Sequence, residues 1–298
     1  MDDLHRALLR LLRAQLTAVN QQFTHMLALG TWGEKAAADQ IKRVDDVDFV
    51  VSMKILDHLV AARVPLALTY EPFYPGDTLA EICAVERASE DRMASSLSLA
   101  LHPDHPAHRW LEEARSPRRA YRAWLAQHTV ADDTTQTGDP TPADRLFADL
   151  IALIEQPMIH AFIHWHRGRQ VDADIAWATS GVAMMKGGAL TRDIARTGRS
   201  PKSPPGAELT ICETPQDAIE ADRVLARRCA LSAMQAAAAS PPRIARRCAE
   251  IAAYARRVAE ANETPHASLS TAAPCFCSFK ITIETFIDPK PATALPGI

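Results

Sequence analysis

The strongest constraint in this 298-residue sequence is an internal repeat of helix landmarks. Phe23-Thr24-His25 lies near the end of the first apolar-periodic segment and matches Phe162-Ile163-His164 in a later one, while Ser116-Pro117 matches Ser240-Pro241. Corresponding landmarks lie about 125 to 140 residues apart, and a fixed period of this kind indicates a duplicated unit. The sequence therefore predicts two tandem copies of one structural unit.

Each copy is expected to be helical, because apolar residues recur with a period close to 3.6 throughout. In the first segment Leu8, Leu12, Val19 and Phe23 lie on one face, and glycines at 30 and 33 end it. Thr78 and Thr214 resemble N-caps, and the prolines of the two Ser-Pro pairs suit the first turn of a helix. The predicted helices cover residues 5–29, 37–62, 79–101, 117 onward, 146–166, 172–195, 215 onward and 241 onward.

The expected fold class is all-α, with two four-helix units and an irregular tail. The first unit occupies residues 1–130 and the second residues 143–263, joined by a linker at 131–142 that is rich in turn-forming residues. Residues 264–298 are rich in Pro, Ser and Thr and form the tail, with one strand-like run at 279–283.

Composition excludes several classes of partner. A formal charge of -3 and a pI near 6.4 provide no general attraction for phosphate, so no nucleic-acid partner is expected. No uninterrupted apolar run approaches the roughly 18 residues of a membrane helix, and no secretory signal is evident. Six scattered cysteines do not suggest a disulfide framework in a chain of this length. A cytoplasmic location without membrane association is the default expectation.

Two segments resemble a known family. QLTAVNQQFTHMLALGTWG at residues 15–33 is similar to the first helix of bacterioferritins, and AEICAVERASED at residues 80–91 is similar to their third helix. The resemblance is to the ferritin-like superfamily, in tandem and degenerate copies, and it implies antiparallel four-helix bundles. Such bundles hold two irons with one carboxylate from each of two helices and a Glu-x-x-His motif from each of the other two.

When the family's ligand positions are aligned with the first copy, few of them carry a residue that usually binds iron. Its first-helix Glu falls on Gln15, and its third-helix Glu falls on Glu90. The second-helix pair falls on Asp48 and Val51, or on Val47 and Val50 when the register is counted back from Pro65. The fourth-helix pair falls on Arg118 and Tyr121. Only two of these positions carry carboxylates.

Two interpretations of the first copy remain open. In one, Arg118 pairs with Asp48 and Glu90, Gln15 is hydrogen-bonded into the network, and no cofactor is bound. In the other, Asp48, Glu90 and Gln15 hold a metal, with iron as the alternative cofactor. The first favours a binding or accessory protein, or an activity independent of iron. The second favours an iron-dependent oxidase or oxygenase.

The second copy retains less of the ligand set. Its aligned positions carry no usual hard-metal ligand, and Gly187-Gly188 suits a close helix approach. His160 and His164 lie four residues apart and are predicted to form a surface or interface pair, with a metal site at these two residues as the alternative. His25 and His164 occupy the same flank and are expected to contact the neighbouring copy or a partner subunit. The aligned positions are Ile154, Met184, Gly187, Ala226, Pro242 and Ala245.

The sequence does not identify the partner. An unknown small molecule or a protein fits the first interpretation, and a homo-oligomer, including an iron-storage cage, is compatible with the family resemblance.

Overall fold

The computed structural model is helical throughout the residues that it describes apart from their turns and loops, which confirms the all-α part of the expected fold class. It describes residues 3–68, 73, 75–97, 106–128, 139–203 and 209–261. Within these ranges the only β-structure is an isolated antiparallel bridge between Phe73 and Ser203. The helices are α1 (Asp3–Trp32), α2 (Lys35–Ala61), α3 (Leu79–Leu97), α4 (Pro106–Ala126), α5 (Pro142–His166), α6 (Gln170–Ala195), α7 (Pro215–Ala239) and α8 (Pro242–Ala261).

The predictions for the linker and the tail mainly concern residues that the structure does not describe. Most of the linker at 131–142 and the whole tail at 264–298, with its strand-like run, lie outside the described residues.

Local sequence accounts for many of the helix ends. Thr141 accepts a hydrogen bond from the backbone N–H of Asp144 and caps α5, and Thr214 does the same for α7 with Asp217.

At its C-terminus α5 ends in a Schellman motif, with Gly168 at a φ of +70° and the N–H of Arg169 donating to the carbonyl of His164. Glycine suits this position because it carries no Cβ.

Helix α2 ends in the same motif with an arginine at the left-handed position. The N–H of Val64 donates to the carbonyl of Leu59 over 2.9 Å, and Arg63 between them has a φ of 53°. Among the described residues Arg63 is the one non-glycine with a positive φ. A side chain in this conformation costs about 1–2 kcal/mol relative to an ordinary backbone. Local preference therefore does not explain the choice of arginine here.

The predicted start of α4 at Pro117 was wrong, because the helix begins eleven residues earlier at Pro106 and contains Pro117 in its interior. A proline inside a helix removes one backbone hydrogen bond. Here a row of buried side chains on one face of α4 continues from before Pro117 to after it, and the burial of these side chains stabilises the helix in both segments. This row, the buried stripe of α4, consists of Ala107, Leu111, Ala114, Arg118, Tyr121 and Leu125.

The same pattern of packed pairs occurs in both sets of four helices. In the first set α1 packs on α2 and α3, while α4 packs on α2 and α3. In the second set α5 packs on α6 and α7, while α8 packs on α6 and α7. The two sets contact each other through α1 with α6 and α2 with α5.

The larger of two hydrophobic clusters among the described residues extends through both sets of helices. It includes Leu8 and Leu56 from the first set and Leu150 and Ile251 from the second, all fully buried. The loops also join the sets, since the backbone N–H of Ser200 donates to Asp77 over 2.6 Å.

Gly188 allows the close approach of α1 to α6, whereas the sequence predicted a close helix approach at Gly187-Gly188 within the second set. A Cβ atom at this position would lie 3.2 Å from a ring carbon of Phe23 and 3.3 Å from a methyl carbon of Leu27. Both distances are shorter than ordinary van der Waals contact, so a larger side chain would separate the two helices.

Helix α5 is long and apolar enough to cross a membrane by length and composition, although the sequence suggested no such helix. Its most apolar window has a mean hydropathy of 1.5, and 89% of that window is buried inside the protein. Contacts with α2, α6 and α7 cover the helix, so packing accounts for its apolar composition.

Candidate functional site

The most distinctive site is a buried ion-pair network centred on Arg118. Its Nη1 donates to Oε1 of Glu90 over 2.5 Å, and its Nη2 donates to Oδ1 of Asp48 over 2.5 Å. These side chains come from α4, α3 and α2, and each residue is at most 3% exposed. The predicted pairing of Arg118 with the two carboxylates is therefore confirmed.

Two further residues complete the network. Nε2 of Gln22 donates to Oδ2 of Asp48 over 3.1 Å, and Nε of Arg122 donates to Oε2 of Glu90 over 3.0 Å. Each of the four carboxylate oxygens consequently accepts a hydrogen bond from a protein group. Satisfied lone pairs of this kind are what make a buried ion pair tolerable.

The predicted role of Gln15 in this network was wrong. Gln15 is fully buried, but neither its Nε2 nor its Oε1 has a hydrogen-bond partner in the described part of the chain. Gln22 occupies the expected place instead, seven residues further along α1. Residues seven apart share a helix face, so the periodicity of α1 could not decide which amide reaches Asp48.

A second buried cluster lies one helical turn away, around Glu86 of α3. Its Oε1 accepts from Nε2 of Gln21 over 3.2 Å and lies 2.6 Å from Nδ1 of His25, while its Oε2 accepts from the hydroxyl of Tyr121 over 2.9 Å. His25, which was predicted to contact the neighbouring copy or a partner subunit, is fully buried, and its Nδ1 contacts Glu86 of the same set of helices. The spacing of Gln21 and His25, four apart on α1, was the signal for a shared partner.

Burial dominates the electrostatics of the network. It raises the pKa of Asp48 to about 6, although Arg118 and the hydrogen bond from Gln22 act in the opposite direction. Burial also lowers the pKa of Arg118, but the charges of Asp48 and Glu90 outweigh it and raise that pKa overall. Burial, followed by the charge of Glu86, holds the pKa of Tyr121 well above its usual value. Near neutral pH Arg118 is therefore a cation, and Tyr121 in the neighbouring Glu86 cluster is protonated.

The stability of the protein is expected to fall as the pH rises through the pKa of Asp48. The folded-state pKa of about 6 lies above the ordinary value of 3.8, so in this interval the folded state retains a proton that the unfolded chain has released. Relative to the Asp48→Asn variant, the wild-type free energy of unfolding should drop by about 2–3 kcal/mol between pH 4 and pH 7. Urea unfolding of both proteins across this interval measures the difference. Parallel pH dependences would contradict the expectation.

The residues of this network do not fit a di-iron centre. Two irons require several anionic oxygens, whereas this site offers two carboxylates whose oxygens are all engaged. The guanidinium of Arg118 also bridges them, and it cannot be discharged at accessible pH. Tyr121, at the register position of a liganding His, is likewise engaged with Glu86. The donor set around Arg118 is therefore that of an internal ion-pair network.

The last four helices contain a different polar cluster, around Asp222 of α7. Its Oδ1 lies 3.0 Å from Nδ1 of His160 and accepts from Nε2 of Gln156 over 2.8 Å. Nε2 of His160 accepts the backbone N–H of Cys212 over 3.1 Å, which requires the hydrogen to be on Nδ1 when the ring is neutral. The cluster anchors the segment before α7 to the centre of α5.

His160 and His164 were predicted to form a surface or interface pair, and the surface alternative was wrong, because the two residues are 0% and 2% exposed. Both residues are buried because α5 packs against α2, α6 and α7 and so has more than one buried face. Their ring centroids lie 6.4 Å apart. A metal site at this pair stays a prediction, and the two hydrogen bonds that engage both nitrogens of His160 weigh against it.

Within the described ranges no group of three or more His, Cys, Asp or Glu side chains is placed to hold a metal ion. No protein-family model matches the chain, and comparison with curated proteins and with solved structures finds no significant similarity. The geometry of the sites is therefore the basis for inferring function.

Proposed function

We propose that this chain is a tandem ferritin-like protein that acts as a binding or accessory protein independent of iron. In this proposal each set of four helices is an antiparallel four-helix bundle. The arginine–carboxylate network of Arg118, Asp48 and Glu90 takes the place of a di-iron centre.

The observation that carries the proposal is the position of Arg118. A cation between two buried carboxylates neutralises the charge that a metal would otherwise neutralise, and its planar donors occupy oxygens that would be ligands. Gln15 adds support, because the family position of a first-helix carboxylate carries a neutral amide. The identical packing pattern of α1–α4 and α5–α8 supports the tandem arrangement.

The second set of helices has a different role in this proposal. Its positions aligned with the ligand set include Ile154, Gly187 and Ala226, which cannot bind a hard metal. Gly187 and Ala226 are fully buried or nearly so, and Ile154 packs against the core. The second bundle accordingly provides a packing surface for the first.

Iron binding separates this proposal from the alternative of an iron-dependent oxidase or oxygenase. The purified protein is loaded with Fe(II) under anaerobic conditions, desalted and analysed for metal content. We expect no stoichiometric iron, because the network has no free anionic oxygen. About two irons per chain, as in di-iron bundles, would overturn the proposal.

The double variant Asp48→Asn, Glu90→Gln is the matched control. It removes the candidate ligands without changing the size of either side chain. Iron that persists in this variant is bound elsewhere, whereas iron that disappears with these two carboxylates was held by the network. A spectroscopic band from oxidised iron in the wild type alone would also support the alternative.

A further inference from the structure

A large cavity lies between the two sets of helices and shares no lining residue with the Arg118 network. It has a volume of about 850 Å³, is partly open to solvent, and is lined by the end of α2 and the segment after it, the end of α5, and residues before α7. We call it the interbundle cavity. Its volume lies within the roughly 300–1,000 Å³ of typical sites for small organic ligands. Its apolar wall includes Val60, Val64, Leu66, Ile163 and Ile211.

Cations outnumber anions at this cavity. Arg63, Arg167 and Arg169 all line it, together with His166 and one acid, Glu213. Arg167 is paired with Glu213 over 2.9 Å, and His166 is paired with Asp57 of α2 over 2.7 Å. Among the described residues no ion pair is formed by Arg63, which is exposed, or by Arg169, which is half-buried.

Arg63 lies in an unfavourable backbone conformation. It occupies the left-handed position of a Schellman motif, where α5 has Gly168 in the equivalent place. A cation near a helix C-terminus is favourable for the helix dipole, but a lysine or arginine one turn earlier would serve that purpose without strain. Strained residues are concentrated at ligand sites, where the conformation aims a side chain.

Arg169 also lies at a backbone position where arginine is unfavourable. It is the N-cap of α6, but its side chain forms no cap hydrogen bond, and a cation at a helix N-terminus opposes the helix dipole. Its Nη1 atom is buried without a hydrogen-bond partner among the described residues. A buried guanidinium nitrogen that donates to nothing is costly unless a ligand satisfies it. Two such exceptions beside one cavity point to a common cause.

We infer that the interbundle cavity binds a small organic anion, with a carboxylate or phosphate head held by Arg63 and Arg169 and an apolar body against the wall. Arginine suits both head groups, because its planar donors match the geometry of two oxygens. The ligand would contact both sets of helices at once. This inference is independent of the iron question, since it uses none of the residues of the Arg118 network.

Isothermal titration calorimetry of the full chain with octanoate, octyl phosphate, octanamide and inorganic phosphate tests the inference. We expect at least one of the two organic anions to bind about tenfold or more tightly than octanamide and inorganic phosphate. The preference between octanoate and octyl phosphate distinguishes the head groups. Equal binding of the neutral amide, or no binding of either organic anion at millimolar concentration, would overturn the inference.

Variants separate binding from stability. Arg63→Gly should weaken binding about tenfold and also raise the midpoint of thermal unfolding, because glycine relieves the left-handed strain. Arg169→Gln should weaken binding to a similar extent. The control is Arg119→Gln, which changes an exposed arginine of α4 away from the cavity and should leave affinity unchanged. Unchanged affinity in both Arg63→Gly and Arg169→Gln would overturn the inference even if an anion binds.

Discussion

Replacing Arg118 with methionine is expected to lower the free energy of unfolding at pH 8 by about 3–5 kcal/mol. Methionine has a similar length but no charge, so Asp48 and Glu90 would remain buried beside each other without the cation. Removing one member of a buried ion pair is far more damaging than breaking a surface pair, because the remaining charge keeps its desolvation cost. Urea or guanidinium unfolding monitored by circular dichroism provides the measurement.

The acid dependence of this variant makes the test specific. Asp48 already has a pKa of about 6, and loss of Arg118 raises it further. At pH 5 a protonated Asp48 needs no counter-charge, so the defect should be smaller than at pH 8. Arg119→Met, on the exposed face of the same helix, is the matched control and should change stability by less than about 0.5 kcal/mol. A defect below about 1 kcal/mol at pH 8, or one independent of pH, would contradict the importance of the network.

Replacing Glu86 with alanine is expected to lower the free energy of unfolding by about 3–5 kcal/mol. The side chain is fully buried and bonds to Gln21, His25 and Tyr121. Alanine would leave these groups without their common partner and create a cavity between α1, α3 and α4. Chemical unfolding at pH 7 measures the loss.

Two milder variants show which part of Glu86 matters. Glu86→Gln keeps the volume and one acceptor oxygen, and Tyr121→Phe removes a single donor while keeping the ring. Each should lower stability by about 1–2 kcal/mol, the usual range for one buried hydrogen bond. If Glu86→Ala were no more destabilising than Tyr121→Phe, the cluster would not act as a shared hydrogen-bond centre.

The helices were largely predictable because their signals are local. Apolar periodicity and threonine caps marked most helix boundaries to within a few residues, as the Thr214 cap of α7 illustrates. The failure at α4 has a physical cause. Pro117 was interpreted as a helix start from its intrinsic preference, but the buried stripe around it provides more stability than the missing hydrogen bond removes.

The first polar network was predictable in part. Apolar periodicity placed Asp48 and Glu90 inward, the family resemblance placed Arg118 with them, and the charge of arginine then required acidic partners. The hydrogen bond from Gln22 to Asp48 was not predictable, because Gln15 lies on the same face of α1. Which of the two side chains reaches Asp48 depends on the distance along α1 at which α2 presents that carboxylate. Only the tertiary packing sets that distance.

The polar residues of α5 were harder to predict. A stripe argument assumes that a helix has one buried face and one exposed face. Helix α5 is enclosed by α2, α6 and α7, so His160 is as buried as the leucines of the same helix. The high apolar content of α5 was the available signal for such an enclosed helix.

The continuous core has a consequence for how this protein can be divided. A cut between the two sets of helices would expose the apolar surfaces by which α1 contacts α6 and α2 contacts α5. Neither half would then keep the buried core that it has in the intact chain, since Leu56 and Leu150 belong to one hydrophobic cluster. The two sets of helices are therefore expected to unfold as one cooperative unit, in which a change in either set alters the folding equilibrium of both.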